Sequence, residues 1–351
     1  SQKKWRSVMD RKYCGVDLHK RSFTVCWMDE RGKKSKPETY STNEKGYAKF
    51  KKKLSKKVEL AVESSGNTGF FYDSILKEVK KITVINPHKF KVVSESVTKN
   101  DARDAGTIAE FLKKDILPGI RMKSKEERDL QKIIGARDKL VKCRSTIKNQ
   151  MHGVLNSSGI VTDREMFGSD KQLDSVIMLK GLSAADKIIV QSLVNTIKNL
   201  NKEIKELEER INEDGSELKG FENITSITGV GKLSGTILLN AIGNVKMFST
   251  SKKLAAYFGM VPGNHDSAGK QRHGHITKYG NKIARTTLVQ VTLIAIKYSD
   301  YLKQFYNRLK AAKGAGKAII ATARKMLDII YNTLTNGWIF EDFSKFKLKK
   351  V

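Results

Sequence analysis

The sequence has few cysteines and no long apolar run. Its three cysteines, Cys14, Cys26 and Cys143, fit no metal-ligand spacing, and a sparse, odd count suits free thiols in a reducing cytoplasm. No stretch approaches the roughly 18 apolar residues of a transmembrane helix. No basic segment followed by an apolar one opens the chain, so we expect neither a secretory leader nor a membrane anchor.

Acidic residues are also scarce relative to basic ones. Lys and Arg number 67 against 37 Asp and Glu, which gives a formal net charge of +30. Such an excess opposes compaction unless a polyanion neutralises it, so nucleic acid is the leading partner and a membrane surface the weaker alternative. At 351 residues the chain is long enough for two domains with buried cores.

The beginning of the chain is rich in β-forming residues. From residue 13, the run YCGVDLHKRSFTVCWMD contains two strand patterns joined by a short polar turn, and a third candidate strand follows at about 36–40. Helical patterns near 44–54 and 69–79 then alternate with apolar strands at 58–63 and 82–85. This order predicts an α/β domain with a mixed sheet.

Four acids occur at unusual places in these elements. Asp17 ends the first predicted strand and Glu63 the fourth, while Asp101 and Asp104 share one face of the helix predicted from KNDARDAGTIAEFL. Each acid alone is explained by turn formation or helix capping. As a set, the carboxylates suit two Mg²⁺ ions, which would activate an attacking oxygen and stabilise the leaving oxygen at a phosphodiester of DNA or RNA.

The segments GVDLHK, LAVESSG and KNDARDA resemble the D-E-D-D motifs of a RuvC-like domain with the RNase H fold. That domain belongs to an insertion-sequence family of transposases guided by a bridge RNA, which also includes pilin-gene DNA invertases. The resemblance implies that Asp17, Glu63, Asp101 and Asp104 are the metal ligands. This sequence has Asn100 where the family pattern usually has Thr. The resemblance extends to about residue 337, and we expect a cytoplasmic, nucleoid-associated prokaryotic protein.

Two long helices are predicted in the middle of the chain. The first, 124–157, has a nearly heptad apolar seam that includes Arg137 and Arg144, which either reach outward from a helix pair or contact phosphates. The second, from about 184, has a cleaner seam of residues four and three apart, namely Leu193, Ile197, Leu200, Ile204, Leu207 and Ile211. An intramolecular hairpin and a coiled-coil dimer arm both fit. We expect a hairpin that also supports a homo-oligomer, a dimer or tetramer, in agreement with the family's coiled-coil linker.

The rest of the chain is predicted to be mainly helical. The segment ITSITGVGKLSG has the spacing of a helix–hairpin–helix element, in which Gly229, Gly231 and Lys232 would grip a nucleic-acid backbone, and its alternative is an ordinary helical hairpin. The sequence thus predicts a RuvC-like catalytic domain at 1–122, a helical linker at 123–216 and a transposase domain at 217–351.

A glycine-rich segment, 259–281, interrupts the helical patterns of the last region, and we predict an irregular loop there. It is either a solvated basic loop or a functional one. The segment, GMVPGNHDSAGKQRHGHITKYGN, resembles the serine-containing motif in the transposase domain of the same family. This resemblance implies that Ser267 attacks DNA and becomes covalently linked to it. A serine hydroxyl needs a base or metal and nearby positive charge for this step. The charge would come from Lys270, Arg272, His273, Lys278 and Arg285.

These predictions combine into a site-specific DNA recombinase or transposase. Metal-bound acids and Ser267 would act on one phosphate, and a structured noncoding RNA, implied by the resemblance, would select the DNA. The competing predictions are a two-metal endonuclease or junction resolvase in which Ser267 is structural, a DNA invertase acting without guide RNA, and a non-catalytic nucleic-acid scaffold.

Overall fold

The computed structural model describes residues 12–87, 90, 101–163, 165–267 and 270–341, and for 101–103, 264–267 and 270–273 it describes the backbone alone. The chain divides into two compact units, Ser1–Lys125 and Glu126–Val351. In the described part of the chain, no helix combines the length and the apolar character needed to cross a membrane.

The first unit is built on a six-stranded mixed sheet with the order β3-β2-β1-β4-β5-β6. Its central strands β1, β4 and β5 are parallel, while β2, β3 and β6 join antiparallel at the two sides. The strands are β1 Tyr13–Leu18, β2 Ser22–Met28, β3 Glu38–Ser41, β4 Glu59–Glu63, β5 Lys81–Ile85 and β6 Gly119–Ile120. The mixed sheet is confirmed. The exposed two-residue β6 was not predicted, because so short a strand carries no periodic pattern.

One face of this sheet packs against helices α1 (Glu44–Lys51) and α2 (Thr68–Ile75). Alternate strand residues, such as Val16 and Val62, point into that core. At its centre the ring of Phe23 lies 5.2–5.4 Å from four other aromatic rings, those of Tyr40, Tyr47, Phe50 and Phe71. Edge-to-face and offset contacts of this kind add to the energy of burial.

The opposite face packs against helix α3 (Asp101–Lys113). The approach is close because Gly15 of β1 has no side chain. A Cβ at this position would lie 2.1 Å from the carbonyl oxygen of Ala105 and 2.4 Å from the amide nitrogen of Ala109. The helix backbone therefore lies directly on β1, which makes Gly15 the point that fixes where α3 crosses the sheet.

The second unit contains helices α4 (Lys125–Ser157) and α6 (Ala184–Ser216), which pair antiparallel. Arg137 donates to Glu208, and Arg144 Nη1 donates to Asn201 Oδ1 at 2.9 Å. The donors follow one another along α4 while their partners occur in the reverse order along α6, as expected for antiparallel helices. Both arginines are thus engaged within a helical hairpin. Cys143 lies exposed on α4, next to Arg144 in the sequence, whereas Cys14 and Cys26 are buried cysteines of the first unit.

Shorter helices complete the second unit. The first of them, α5 (Asp170–Ile177), packs against α4 and α6, and the others surround a separate apolar core to which Leu238, Leu288 and Leu327 contribute fully buried side chains. These others are α7 Phe221–Thr225, α8 Lys232–Ile242, α9 Ser251–Tyr257, α10 Lys282–Tyr298, α11 Asp300–Lys313 and α12 Ala315–Asn336. The mainly helical character predicted for this region is confirmed. The predicted helical linker and the predicted transposase domain both lie almost entirely within the second compact unit. The division of the chain into three regions stays a prediction.

The prediction of an irregular loop at 259–281 was wrong. Strands β7 (Pro262–Ser267) and β8 (Lys270–Ile276) form an antiparallel hairpin there, with Ser267 opposite Lys270 and an irregular register between Pro262 and Asn264. The segment is full of glycine and polar residues that are depleted in strands. Cross-strand backbone hydrogen bonds do not depend on an apolar alternation, so the composition concealed the hairpin.

Candidate active site

Two of the predicted acids lie side by side at one edge of the first sheet. Val16 of β1 pairs with Val62 of β4, and Asp17 and Glu63 are the next residue of each strand. Neighbouring strands lie about 4.8 Å apart, and residues in register on parallel strands point to the same face. The face is the one covered by α3, because Gly15, two residues before Asp17, lies against that helix.

The third and fourth acids belong to the first turn of helix α3. Gly15 contacts α3 at Ala105, while Tyr13 packs in the cluster that contains Leu112. The helix therefore runs opposite to β1, and its first turn lies toward Asp17. Asp104 directly precedes the contact residue Ala105 and is partly exposed. Asp101 is the first residue of α3, and its side chain lies outside the described part of the structure.

Asp17 is held by a hydrogen bond from a neighbouring turn. Its Oδ2 atom lies 3.1 Å from Nε2 of His19, and only 13% of the Asp17 side chain is exposed against 51% of the His19 side chain. His19 belongs to the turn between β1 and β2, which its backbone closes by donating to the carbonyl of Ser22.

Glu63 begins a tightly bonded loop that leads into α2. The Thr68 hydroxyl donates to the carbonyl of Glu63 at 3.0 Å and accepts from the amide of Ser65 at 2.8 Å. Asn67 of the same loop donates from Nδ2 to the carbonyl of His19 at 3.2 Å. The loop after β4 and the turn after β1 are thereby joined to each other by a side-chain contact.

The donor set at this edge fits a hard divalent cation, because carboxylate oxygens are the ligands that such cations prefer. Among the described side chains, however, no three His, Cys, Asp or Glu residues gather closely enough to hold a metal ion. The side chain of Asp101, one member of the predicted quartet, is not among them. The carboxylates at this edge have the right chemistry for such a cation, but the described side chains of Asp17, Glu63 and Asp104 do not form a closed group of three.

The predicted nucleophile lies in the second unit. Ser267 is the last residue of β7, and Lys270 is the first of β8. The side chains of Ser267, Lys270, Arg272 and His273 lie outside the described part of the structure, so what they contact is not assigned. Lys278 is exposed just beyond the hairpin, with a left-handed φ of 57°.

The base of this hairpin is fixed by close backbone contacts. A Cβ on Gly259 would lie 2.1 Å from the carbonyl oxygen of Tyr279, and one on Gly280 would lie 2.3 Å from that of Tyr257. Arg285 donates from Nη1 to the carbonyls of Phe258 and Gly280, at 3.2 Å and 3.0 Å. Arg285 therefore holds the entry and exit of the hairpin together, and burial lowers the pKa of its guanidinium from the ordinary value.

The three residues predicted for a helix–hairpin–helix grip differ in their surroundings. Gly229 has a φ of 93°, and its Cβ would lie 2.8 Å from backbone atoms of Val291 and Ala295, so packing against α10 requires a glycine there. Gly231 precedes α8 with no described atom within 4 Å of a Cβ position. Together with Lys232 it lines an open cavity of about 440 Å³ at the start of α8.

The edge of the sheet that carries Asp17 and Glu63 is here called the acidic edge. Sequence reasoning missed three of its residues, namely Gly15, His19 and Asn67. His19 and Gly15 lie inside the GVDLHK motif, and Asn67 directly follows the ESSG motif, so their positions were visible. Their roles depend on contacts between segments 48 and 90 residues apart, those of Asn67 with His19 and of Gly15 with Ala105. No local pattern reports such contacts.

A mixed sheet with acids at the ends of two adjacent parallel strands, in a chain of net charge +30, is typical of a metal-dependent enzyme that acts on nucleic acid. Comparison with known families is more specific. Residues 14–160 match the transposase domain called DEDD_Tnp_IS110, and residues 221–307 match the transposase domain of the IS116/IS110/IS902 family. In both regions the chain is therefore similar to transposases of the IS110/IS116 family, and transposases are enzymes that cleave and rejoin DNA strands.

Several known proteins resemble the chain over nearly its whole length. The transposase for insertion sequence element IS1111A of Coxiella burnetii is 28% identical, over 95% of this chain and 92% of its own length. The transposase for element IS1328 of Yersinia enterocolitica is 24% identical, with 93% and 97% covered. The pilin gene-inverting protein of Moraxella bovis is also 24% identical, with 95% and 98% covered.

The two family matches together contain the predicted site residues of both units. Asp17, Glu63, Asp101 and Asp104 fall within the DEDD match, which indicates dependence on a divalent metal. Ser267 and the cations around it, up to Arg285, fall within the second match. The assignment of individual residues to metal, DNA or RNA stays a prediction.

Proposed function

We propose that this transposase cuts and rejoins DNA through a covalent phosphoserine on Ser267, with Mg²⁺ held by Asp17, Glu63, Asp101 and Asp104. The observation that carries the metal part is the shared edge, where Asp17 and Glu63 follow a paired Val16 and Val62 and the first turn of α3 lies on the same side. A cation bound at this edge would offset the repulsion between neighbouring carboxylates.

The chemistry of the serine step follows from its atoms. A bond forms between Ser267 Oγ and the phosphorus, the phosphorus bond to a deoxyribose oxygen breaks, and that oxygen takes up a proton as the serine loses one. Mg²⁺, when bound, supplies Lewis-acid stabilisation of the attacking and leaving oxygens. Because a phosphodiester is kept as a serine ester, a hydroxyl from another strand can reverse the step without an added energy source.

The hairpin supports this role for Ser267. Ser267 is at the far end of β7, next to residues 268 and 269, and its register partner is Lys270. A two-stranded frame fixed at its base by Gly259, Gly280 and Arg285 suits a side chain that must be presented to a bulky substrate. The basic residues Lys270, Arg272, His273 and Lys278 are proposed to contact the DNA phosphates.

The serine is tested by trapping. Nicked suicide duplexes carrying the DNA that flanks the chain's own gene are expected to yield a covalent protein–DNA adduct with the parent protein. Ser267→Ala should abolish the adduct, and Ser175→Ala, an exposed serine at the end of α5, should leave it unchanged. An adduct that persists in Ser267→Ala overturns the proposal. Metal-dependent cleavage to free ends without any adduct indicates the two-metal nuclease instead.

Guidance by a structured noncoding RNA is the remaining part of the proposal. The net charge of +30 supports a large polyanionic partner in addition to the DNA. RNA that copurifies with the protein should be one defined species with segments complementary to both DNA sites. Recombination by RNA-free protein excludes the guide and favours a DNA invertase, a reading that the likeness to the pilin gene-inverting protein supports.

A further inference from the structure

We propose that His19 and Asn67 form a positioning clamp that sets Asp17 against Glu63 in the metal site. The inference rests on the proposed function, since it takes those two acids to be metal ligands. It adds two residues that would touch neither metal nor DNA and would act by orienting the carboxylate of Asp17.

The clamp is a continuous set of contacts between the two acid-bearing strand ends. The ring of His19 meets the Asp17 carboxylate at 3.1 Å, and the backbone carbonyl of His19 accepts from Asn67 at 3.2 Å. The loop that contains Asn67 is closed onto Glu63 by the Thr68 hydroxyl, at 3.0 Å. Each strand end is thus tied to the other through side chains as well as through the sheet.

Asp17 needs such a partner because the sheet does not fix the plane of its carboxylate. The β1–β4 ladder sets the position of its Cα and the face toward which the side chain points. Rotation of the carboxylate about its own axis is left to side-chain contacts, and terminal torsions of this type are broad. A hydrogen bond to Oδ2 selects one orientation. Ligating carboxylates are commonly hydrogen-bonded in this way, and loss of such a partner costs about 10–100-fold in metal affinity.

Asn67 acts one step further out. Half of the His19 side chain is exposed, so packing alone does not hold the ring in place. The contact from Asn67 to the His19 carbonyl fixes the turn from which the ring projects. The end of the clamp near α2 is held by Thr68, which is buried (2% exposed). The clamp therefore has a rigid end at α2 and acts on the more exposed turn.

The test measures Mn²⁺ binding by calorimetry on the full-length protein without DNA, together with the metal dependence of DNA cleavage. His19→Ala should raise the Mn²⁺ dissociation constant by about 10–100-fold. His19→Gln, which keeps an N–H donor near the same position, should recover most of the affinity. Asn67→Ala should weaken binding less, by roughly 3–10-fold, the worth of one hydrogen bond. In cleavage assays the half-saturating metal concentration should rise more than the maximal rate falls.

Two references separate failure of the clamp from failure of the metal site. Asp17→Asn removes a proposed ligand itself, so unchanged Mn²⁺ binding in Asp17→Asn refutes the metal site and with it the clamp. Weakened binding in Asp17→Asn with unchanged binding in His19→Ala refutes the clamp alone. His152→Ala is the matched histidine control, because His152 is hydrogen-bonded to Thr162 in the second unit. Protection of α3 amides from hydrogen exchange verifies that each variant is folded.

Discussion

Replacing Gly15 by alanine should displace α3 and thereby disable the acidic edge. The added Cβ would lie 2.1 Å from the Ala105 carbonyl oxygen, and ordinary contact begins at 3.4 Å, so the helix must move outward by about 1.3 Å. The two nearest atoms, the carbonyl oxygen of Ala105 and the amide nitrogen of Ala109, belong to the backbone, so no rotamer change can remove them. Overpacking of this kind costs about 1–3 kcal/mol, and we expect the upper end or more.

The same movement should reduce activity more than it reduces stability. Asp104 precedes the contact residue, so a shift of the helix carries its carboxylate away from Asp17 and Glu63. A misplacement of about 1 Å at a catalytic group can lower the rate by about 100-fold. DNA cleavage at saturating metal should therefore fall by at least this factor in Gly15→Ala. Hydrogen exchange of the amides of α3 should become faster in parallel.

Gly106→Ala is a control within the same helix. Its Cβ would lie 3.7 Å from the nearest atom, the sulfur of Cys26, which is ordinary contact. Alanine also favours a helix over glycine by about 0.5–1 kcal/mol, so this variant should be as active as the parent and slightly more stable. If Gly15→Ala matches Gly106→Ala in both exchange protection and cleavage, then the close crossing of α3 over β1 is not what holds the acids together.

Two further predictions concern acid stability and the start of α8. Lys114 and Lys34 lower the pKa of Glu110 from 4.5 to about 2. The unfolded chain then binds the proton more readily, so this stabilisation is complete above about pH 4.5 and is lost as the pH falls toward 2. In urea unfolding between pH 6 and 3, Glu110→Gln should lose less stability than the parent, and equal losses refute the assignment. Gly229→Ala should destabilise the second unit because its Cβ meets the backbone of α10, whereas Gly231→Ala should unfold like the parent. A loss of DNA affinity in Gly231→Ala, measured by fluorescence anisotropy, would support a phosphate contact there, and unchanged affinity would contradict it.

The parts of the fold that could be predicted from the sequence are those with a clear strand or helix pattern of apolar residues. Strands β1 and β4 are apolar because both faces of the sheet are covered, and the three-residue spacing of Asp101 and Asp104 indicated a helix face. A common site for Asp17, Glu63, Asp101 and Asp104 was implied by the family resemblance and not by spacing, and it stays a prediction. It depends on Gly15, whose need for a hydrogen in place of a Cβ follows from a helix 90 residues away.

Other features stayed ambiguous because two physical explanations predicted the same sequence. Arginines on an apolar helix seam suit both phosphate contact and a helix partner, and only the placement of Glu208 and Asn201 shows that Arg137 and Arg144 are engaged within the hairpin. Gly229 was predicted to approach a phosphate, whereas it approaches α10. A glycine in such a turn indicates a close approach, but the sequence alone does not show whether a ligand or another helix approaches it.

The three thiols have a practical consequence for work on assembly. Cys14 and Cys26 are buried in the first unit, and Cys143 is exposed on α4, next to Arg144 in the sequence. A maleimide spin label should therefore attach at one position in the unmodified protein. If copies of the chain associate along the hairpin, pairs of labels would lie at one short, defined separation, and association through any other surface would give a different one. The sequence thus already contains an attachment point for measuring the quaternary structure.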